Sequence, residues 1–144
     1  ALGCSAQSGP PKNWKPLAGC GVTIYVPPDV VFVEDQSVDT CERIYRGKTT
    51  TIHITVTEWN VGQSDYSNWP DHCVAKICLH AKDAELVTSQ IPILTEPDKG
   101  RDFSAMMLVP NFRPRGDDLR IQTLSTSETS RKEALKILKS VKFQ

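Results

Sequence analysis

The alternation of apolar and polar residues is clearest between residues 50 and 59. There Ile52, Ile54 and Val56 take one side of an extended chain, and Thr51, His53, Thr55, Thr57 and Trp59 take the other. Successive strand side chains point to opposite faces, so this segment predicts a half-buried strand with one apolar and one polar face. The same period runs through 21–26, where Val22, Ile24 and Val26 alternate up to Pro27-Pro28, whose missing amide donors end a strand. Residues 76–80 and 84–93 predict a hairpin about Ala81-Lys82-Asp83, 103–109 a further strand, and 30–33 a short apolar run. In 118–124, Leu119, Ile121 and Thr123 oppose Arg120 and Gln122, giving the strand that leads into the last segment. There the period changes to that of a helix: Ala134, Ile137, Leu138 and Val141 fall at i, i+3, i+4 and i+7 and form one stripe that needs a sheet to cover. Ser130 with Glu133, and Ser125 with Glu128, both have capping-box spacing, so the start of this helix stays open over several residues.

The pattern amounts to six to eight antiparallel strands and one carboxy-terminal helix packed on them, an α+β fold. Residues 60–70 carry no period and are rich in Gly, Ser, Asn and Asp, which predicts the longest loop, with Tyr66 and Trp69 as its anchors. Residues 1–16 are expected to form a flexible tether, since Gly9, Pro10 and Pro11 interrupt a polar stretch, and 17–144 a single globular domain.

Composition narrows the function. Seventeen basic residues balance seventeen acidic ones, so no overall field draws in nucleic acid. The charge is segregated, however: Asp29, Glu34, Asp35, Asp39 and Glu42 form an acidic block, and Arg131, Lys132, Lys136, Lys139 and Lys142 a basic one, both read as solvated faces. The longest uninterrupted apolar run, 105–109, is far too short to span a bilayer. Of the five cysteines, Cys20, Cys41, Cys73 and Cys78 leave an even number once Cys4 is set aside, which points to two disulfides in an oxidising compartment. Four cysteines allow three pairings; short loops favour Cys20 with Cys41 and Cys73 with Cys78.

Ala1-Leu2-Gly3-Cys4 resembles the lipobox of bacterial lipoproteins, with Ala1 and Leu2 in the reverse of the usual order. The resemblance implies that Cys4 is lipidated and that the membrane is met only through that lipid, on an extracytoplasmic, periplasmic or cell-envelope domain. The carboxy-terminal half resembles the Mog1/PsbP family through Ala84-Glu85-Leu86-Val87, the strands 103–109 and 119–124, and the run from Ala134 to Phe143; 21–28 is similar to that family's opening strand. The resemblance implies an α/β/α sandwich that docks on partners without shared catalytic residues.

Catalytic motifs give little to add. Gly47-Lys48-Thr49 lacks the glycine a phosphate loop has five residues earlier, where Glu42 stands, and it leads into a strand, so it reads as a hairpin turn. Neither a Gly-x-Ser-x-Gly elbow nor a His-Glu-x-x-His pair is present, and no sequence motif calls for a cofactor. Arg115-Gly116-Asp117 reads as a polar loop. His72, Cys73, Cys78 and His80 carry the residue types that hold zinc, but at a spacing that suits a disulfide better. Trp59, Tyr66, Trp69 and His53 gather at one strand and the loop after it, and are the candidate partner-binding residues. The expectation is a non-catalytic, exported binding or assembly module with a protein partner; the alternatives are a small enzyme with a non-local site and a metal-binding module.

Overall fold

The computed structural model describes residues 9–36, 41–57, 66, 68–113 and 116–144. Its elements are β1 (Lys15–Gly19), β2 (Val22–Val26), β3 (Val31–Gln36), β4 (Cys41–Arg46), β5 (Thr50–Thr57), β6 (Cys73–Leu79), β7 (Lys82–Gln90), β8 (Phe103–Val109), β9 (Asp118–Ser125), α1 (Glu128–Lys139) and β10 (Lys142–Phe143). Seven strands form one antiparallel sheet in the order β3-β4-β5-β9-β8-β7-β6, and β1-β2-β10 form a second, smaller one. The ten strands among the described residues exceed the expected six to eight. β1 and β10 were missed because Lys15-Pro16 and Lys142-Phe143 carry too few alternating positions, and β4 because Cys41-Glu42-Arg43-Ile44-Tyr45-Arg46 mixes charges into both faces.

One face of the large sheet is covered by the small sheet and the helix together. Val22, Ile24 and Val26 of β2 meet Ile52, Ile54 and Val56 of β5, Leu119 and Ile121 of β9, Ala105, Met107 and Val109 of β8, and Ile137 and Leu138 of α1 in a single core. The alternation read along β5 therefore faces the way its apolar residues require. Register confirms it: Ile52, Ile54 and Val56 stand opposite Thr123, Ile121 and Leu119. Thr123 is buried on this face and satisfies its hydroxyl by donating to the Ala105 carbonyl at 2.9 Å.

The helix begins at neither expected serine. Ser127 is its cap, with extended backbone and a side-chain oxygen that accepts from the Ser130 amide at 3.1 Å. Ser140 closes the other end. Its hydroxyl donates to the Ile137 carbonyl at 2.6 Å and accepts from the Tyr25 amide at 2.9 Å, which fastens the end of the helix to β2.

The β6–β7 hairpin turns one residue earlier than the polar stretch predicted. Leu79 pairs with Lys82, leaving His80 and Ala81 as a two-residue loop with φ of 49° and 66°. A left-handed turn of this kind favours Asn-Gly, so its sequence signal is absent here. The His80 ring compensates by bonding the Val141 carbonyl at 2.9 Å and packing edge-on against Phe143. Ala81→Gly is expected to stabilise the protein by about 0.5–1 kcal/mol in denaturant melts, because relief of the left-handed Ala outweighs the added freedom of the unfolded chain.

Candidate functional site

The other face of the large sheet is the candidate site, and its residues follow from register. On β4, Glu42, Ile44 and Arg46 stand opposite Thr55, His53 and Thr51 of β5; these in turn oppose Arg120, Gln122 and Leu124 of β9. Because none of the apolar core lies on this side of β4 and β5, the result is a polar band across the middle of the sheet. Its centre is half-open: His53, Thr55, Gln122 and Arg120 are partly exposed, whereas Thr51 and Thr57 at its ends are buried. His53 Nε2 faces Glu42 Oε1 in a close pair, a carboxylate that orients the imidazole. Gln122 donates to Ser104 Oγ at 3.3 Å and accepts from Arg120 at 3.4 Å, so the band is cross-linked from β9 to β8.

Two loop segments frame the band. At one end the stretch 91–102 folds over β4 and β5. Asp98 accepts from the Thr51 hydroxyl at 2.6 Å and from Arg46 at 3.4 Å, and Arg101 donates to Thr51 at 3.1 Å and to the Gly47 carbonyl at 2.9 Å. Burial lowers the Arg101 pKa, Asp98 opposes that shift and Arg46 adds to it. Both terminal nitrogens of Arg101 donate to protein acceptors, so the cluster reads as a clamp. The Gly47-Lys48-Thr49 segment is the β4–β5 turn, with the Lys48 amide donating to Asp29 at 2.8 Å.

At the other end Tyr66 and Trp69 cap β7 and β8. Tyr66 packs with Val87, Met106 and Leu108, Trp69 leans on the same group, and the Tyr66 hydroxyl donates to Glu85 at 2.6 Å. That hydrogen bond, followed by burial and the Glu85 charge, pushes the Tyr66 pKa up to about 12. Tyr66 is thus a core pin and not a partner contact, a correction to the sequence reading: an aromatic in a loop above apolar β8 residues is covered by them. Trp69 is half-buried, His53 lies in the open band, and Trp59 and Cys4 fall outside the described residues, as does Arg115.

The cysteines meet one expected pairing, Cys20 with Cys41, and correct the other, Cys73 with Cys78. Cys20 and Cys41 form a disulfide that joins the β1–β2 turn to the start of β4. Cys78 is disulfide-bonded, but Cys73 is free and exposed. Both lie on β6, and five residues of extended chain separate Cα atoms by about 17 Å, far beyond the roughly 7 Å a bridge tolerates. The same strand disperses the zinc candidates His72, Cys73, Cys78 and His80, and no group of three metal-ligating side chains comes together among the described residues.

A feature that sequence reading missed lies on the outer strand. β3 is an edge of the large sheet, and Val31, Phe32 and Val33 are 54, 49 and 42% exposed. The Phe32 ring meets Tyr45 edge-on and Arg43 lies over it, yet half of its surface remains open. The signal was in 30–33 itself: a run of apolar residues without alternation, at an edge, leaves some of them outside. Comparison with known proteins finds no family model and no curated protein that matches this chain. The Cys20–Cys41 disulfide fits an oxidising environment, and no helix among the described residues is long and apolar enough to cross a membrane.

Proposed function

We propose that this chain is a non-catalytic, exported binding module that takes a protein partner along the β3 edge and the adjoining polar band. The observation that carries the reading is the exposed triplet Val31-Phe32-Val33 on an edge strand, beside a half-open polar face bearing His53, Thr55, Gln122 and Arg120. Unpaired edge amides can hydrogen-bond an incoming extended segment, and apolar side chains beside them add burial. The Mog1/PsbP resemblance read in the sequence implies the same docking role, although the α/β/α sandwich it also implies has helices on both faces and α1, the one helix among the described residues, covers a single face. A second reading, a small enzyme, has one observation in its favour, the His53–Glu42 pair.

The finer form of this proposal is a bacterial, lipid-anchored module with Cys4 as the lipidation candidate.

The test is site-specific photocrosslinking in the cells that produce the protein, from a photoreactive residue at position 32, 33 or 53. One shared product from these three positions, and none from position 128 on the helix, is expected. Equal products from all four, or none from 32 and 33, would overturn the reading. A His53→Ala variant that keeps the product counts against the enzyme.

A further inference from the structure

We infer that the outward face of α1 is a docking surface for anionic phospholipid headgroups, a surface separate from the β3 edge. A helix turns about 100° per residue. Ala134, Ile137 and Leu138 are buried against the sheet, which places Lys132, Lys136 and Lys139, at i, i+4 and i+7, in one row on the opposite side. All three are exposed, and each is absent from the hydrogen bonds and ion pairs of the described residues. Arg131, by contrast, is turned to the sheet, where it covers the Phe103 ring and donates to the Ser89 carbonyl at 3.0 Å. The row thus consists of the basic side chains the fold does not use.

Charge complementarity identifies the occupant. Lys142 follows the helix and is exposed, and residues 9–11 lie against Lys136 and Lys139 across a shallow cavity of about 290 Å³, which brings exposed Lys12 to the same end of the molecule. Glu133 lies about 100° round the helix from Lys132, while Glu128, four residues before Lys132, stands at the start of the row, so the basic stretch of this face runs from Lys132 to Lys139. The acidic residues Asp29, Glu34 and Glu42 belong to the β3–β4 region, so a chain of zero net charge still presents one basic surface. The row is short of apolar side chains, which a protein partner's hot spot would use, and a planar sheet of negative charge needs none. The residue at the end of the row, Lys139, also lies in the last helical turn, where the helix dipole holds its charge in place.

The experiment measures sedimentation of the full chain with vesicles of phosphatidylcholine alone and with added phosphatidylglycerol, at low and at high ionic strength. Binding is expected only with the anionic lipid and only at low ionic strength. Lys132→Gln, Lys136→Gln and Lys139→Gln combined should lower the partition coefficient about a hundredfold, near fivefold per lysine. Lys48→Gln, Lys76→Gln and Lys99→Gln combined remove the same charge elsewhere and should change it little. The inference is overturned by equal losses in the two triple variants, which would reflect net charge alone. Equal binding to neutral vesicles, or no binding to anionic ones at low ionic strength, would also overturn it. Self-association without lipid that the helix triple variant abolishes would assign the row to a second copy of the chain instead. Circular dichroism melts of both triple variants should match the parent, since every substituted side chain is solvent-facing or nearly so.

Discussion

Leu138→Ala should lower the unfolding free energy by about 2–5 kcal/mol in urea or thermal melts, the largest single-residue effect expected here. Leu138 has no exposed surface and stands where α1, β2 and the large sheet converge, so truncation leaves a cavity that three separate elements would have to move to fill. Lys136→Ala, two residues earlier on the same helix but facing outward, should change stability by no more than about 0.5 kcal/mol. Equal effects from the two would mean that the helix docks by another face.

The second large effect belongs to the Cys20–Cys41 disulfide. It closes a loop of 21 residues between the small sheet and the large one, and removing it as Cys20→Ala/Cys41→Ala should cost about 3 kcal/mol, mostly through the freedom regained by the unfolded chain. Calorimetry of the double variant against the parent measures this. Alkylation of denatured, unreduced protein followed by peptide mapping should modify Cys73 and leave Cys20, Cys41 and Cys78 unmodified. A melt unchanged by the double substitution would place the constraint on the unfolded state elsewhere.

The strands that were legible in the sequence are those whose burial is one-sided and regular. Ile52, Ile54, Val56, Leu119 and Ile121 announce their face because each polar neighbour points to the band on the other side. The strand 103–109 was legible as a strand but not in its faces, since Met106 and Leu108 are covered by Tyr66 just as Met107 is covered by the helix. β4 was illegible for a related reason: Arg43 and Tyr45 share a face, because the guanidinium packs on Phe32 while the ring is buried, and that pairing exists only after the strands meet. The candidate site was half legible. His53 and the polar side of β5 were evident from period alone, whereas Glu42, Arg120 and Gln122 join them only through register, and the clamp of Asp98 and Arg101 on Thr51 spans some fifty residues of sequence. Tyr66 and Trp69 were placed correctly as loop anchors, but their chemistry depended on what lay beneath them.

The small sheet has a consequence for the order in which the molecule can be assembled. β2 lies between β1, its immediate neighbour in sequence, and β10, at the far end of the chain; the Tyr25 amide waits for the Ser140 hydroxyl across 115 residues, and the Gln144 amide closes on the Gly21 carbonyl. A chain emerging amino terminus first therefore makes the β1–β2 hairpin early and completes its sheet last, after the helix has docked. Until then the apolar side of Val22, Ile24 and Val26 has no full cover. Distant pairings of this kind slow folding to roughly milliseconds to seconds and leave sticky surface open in the interval, so the β1–β2 hairpin is the part of the described chain most in need of a holdase while synthesis is under way.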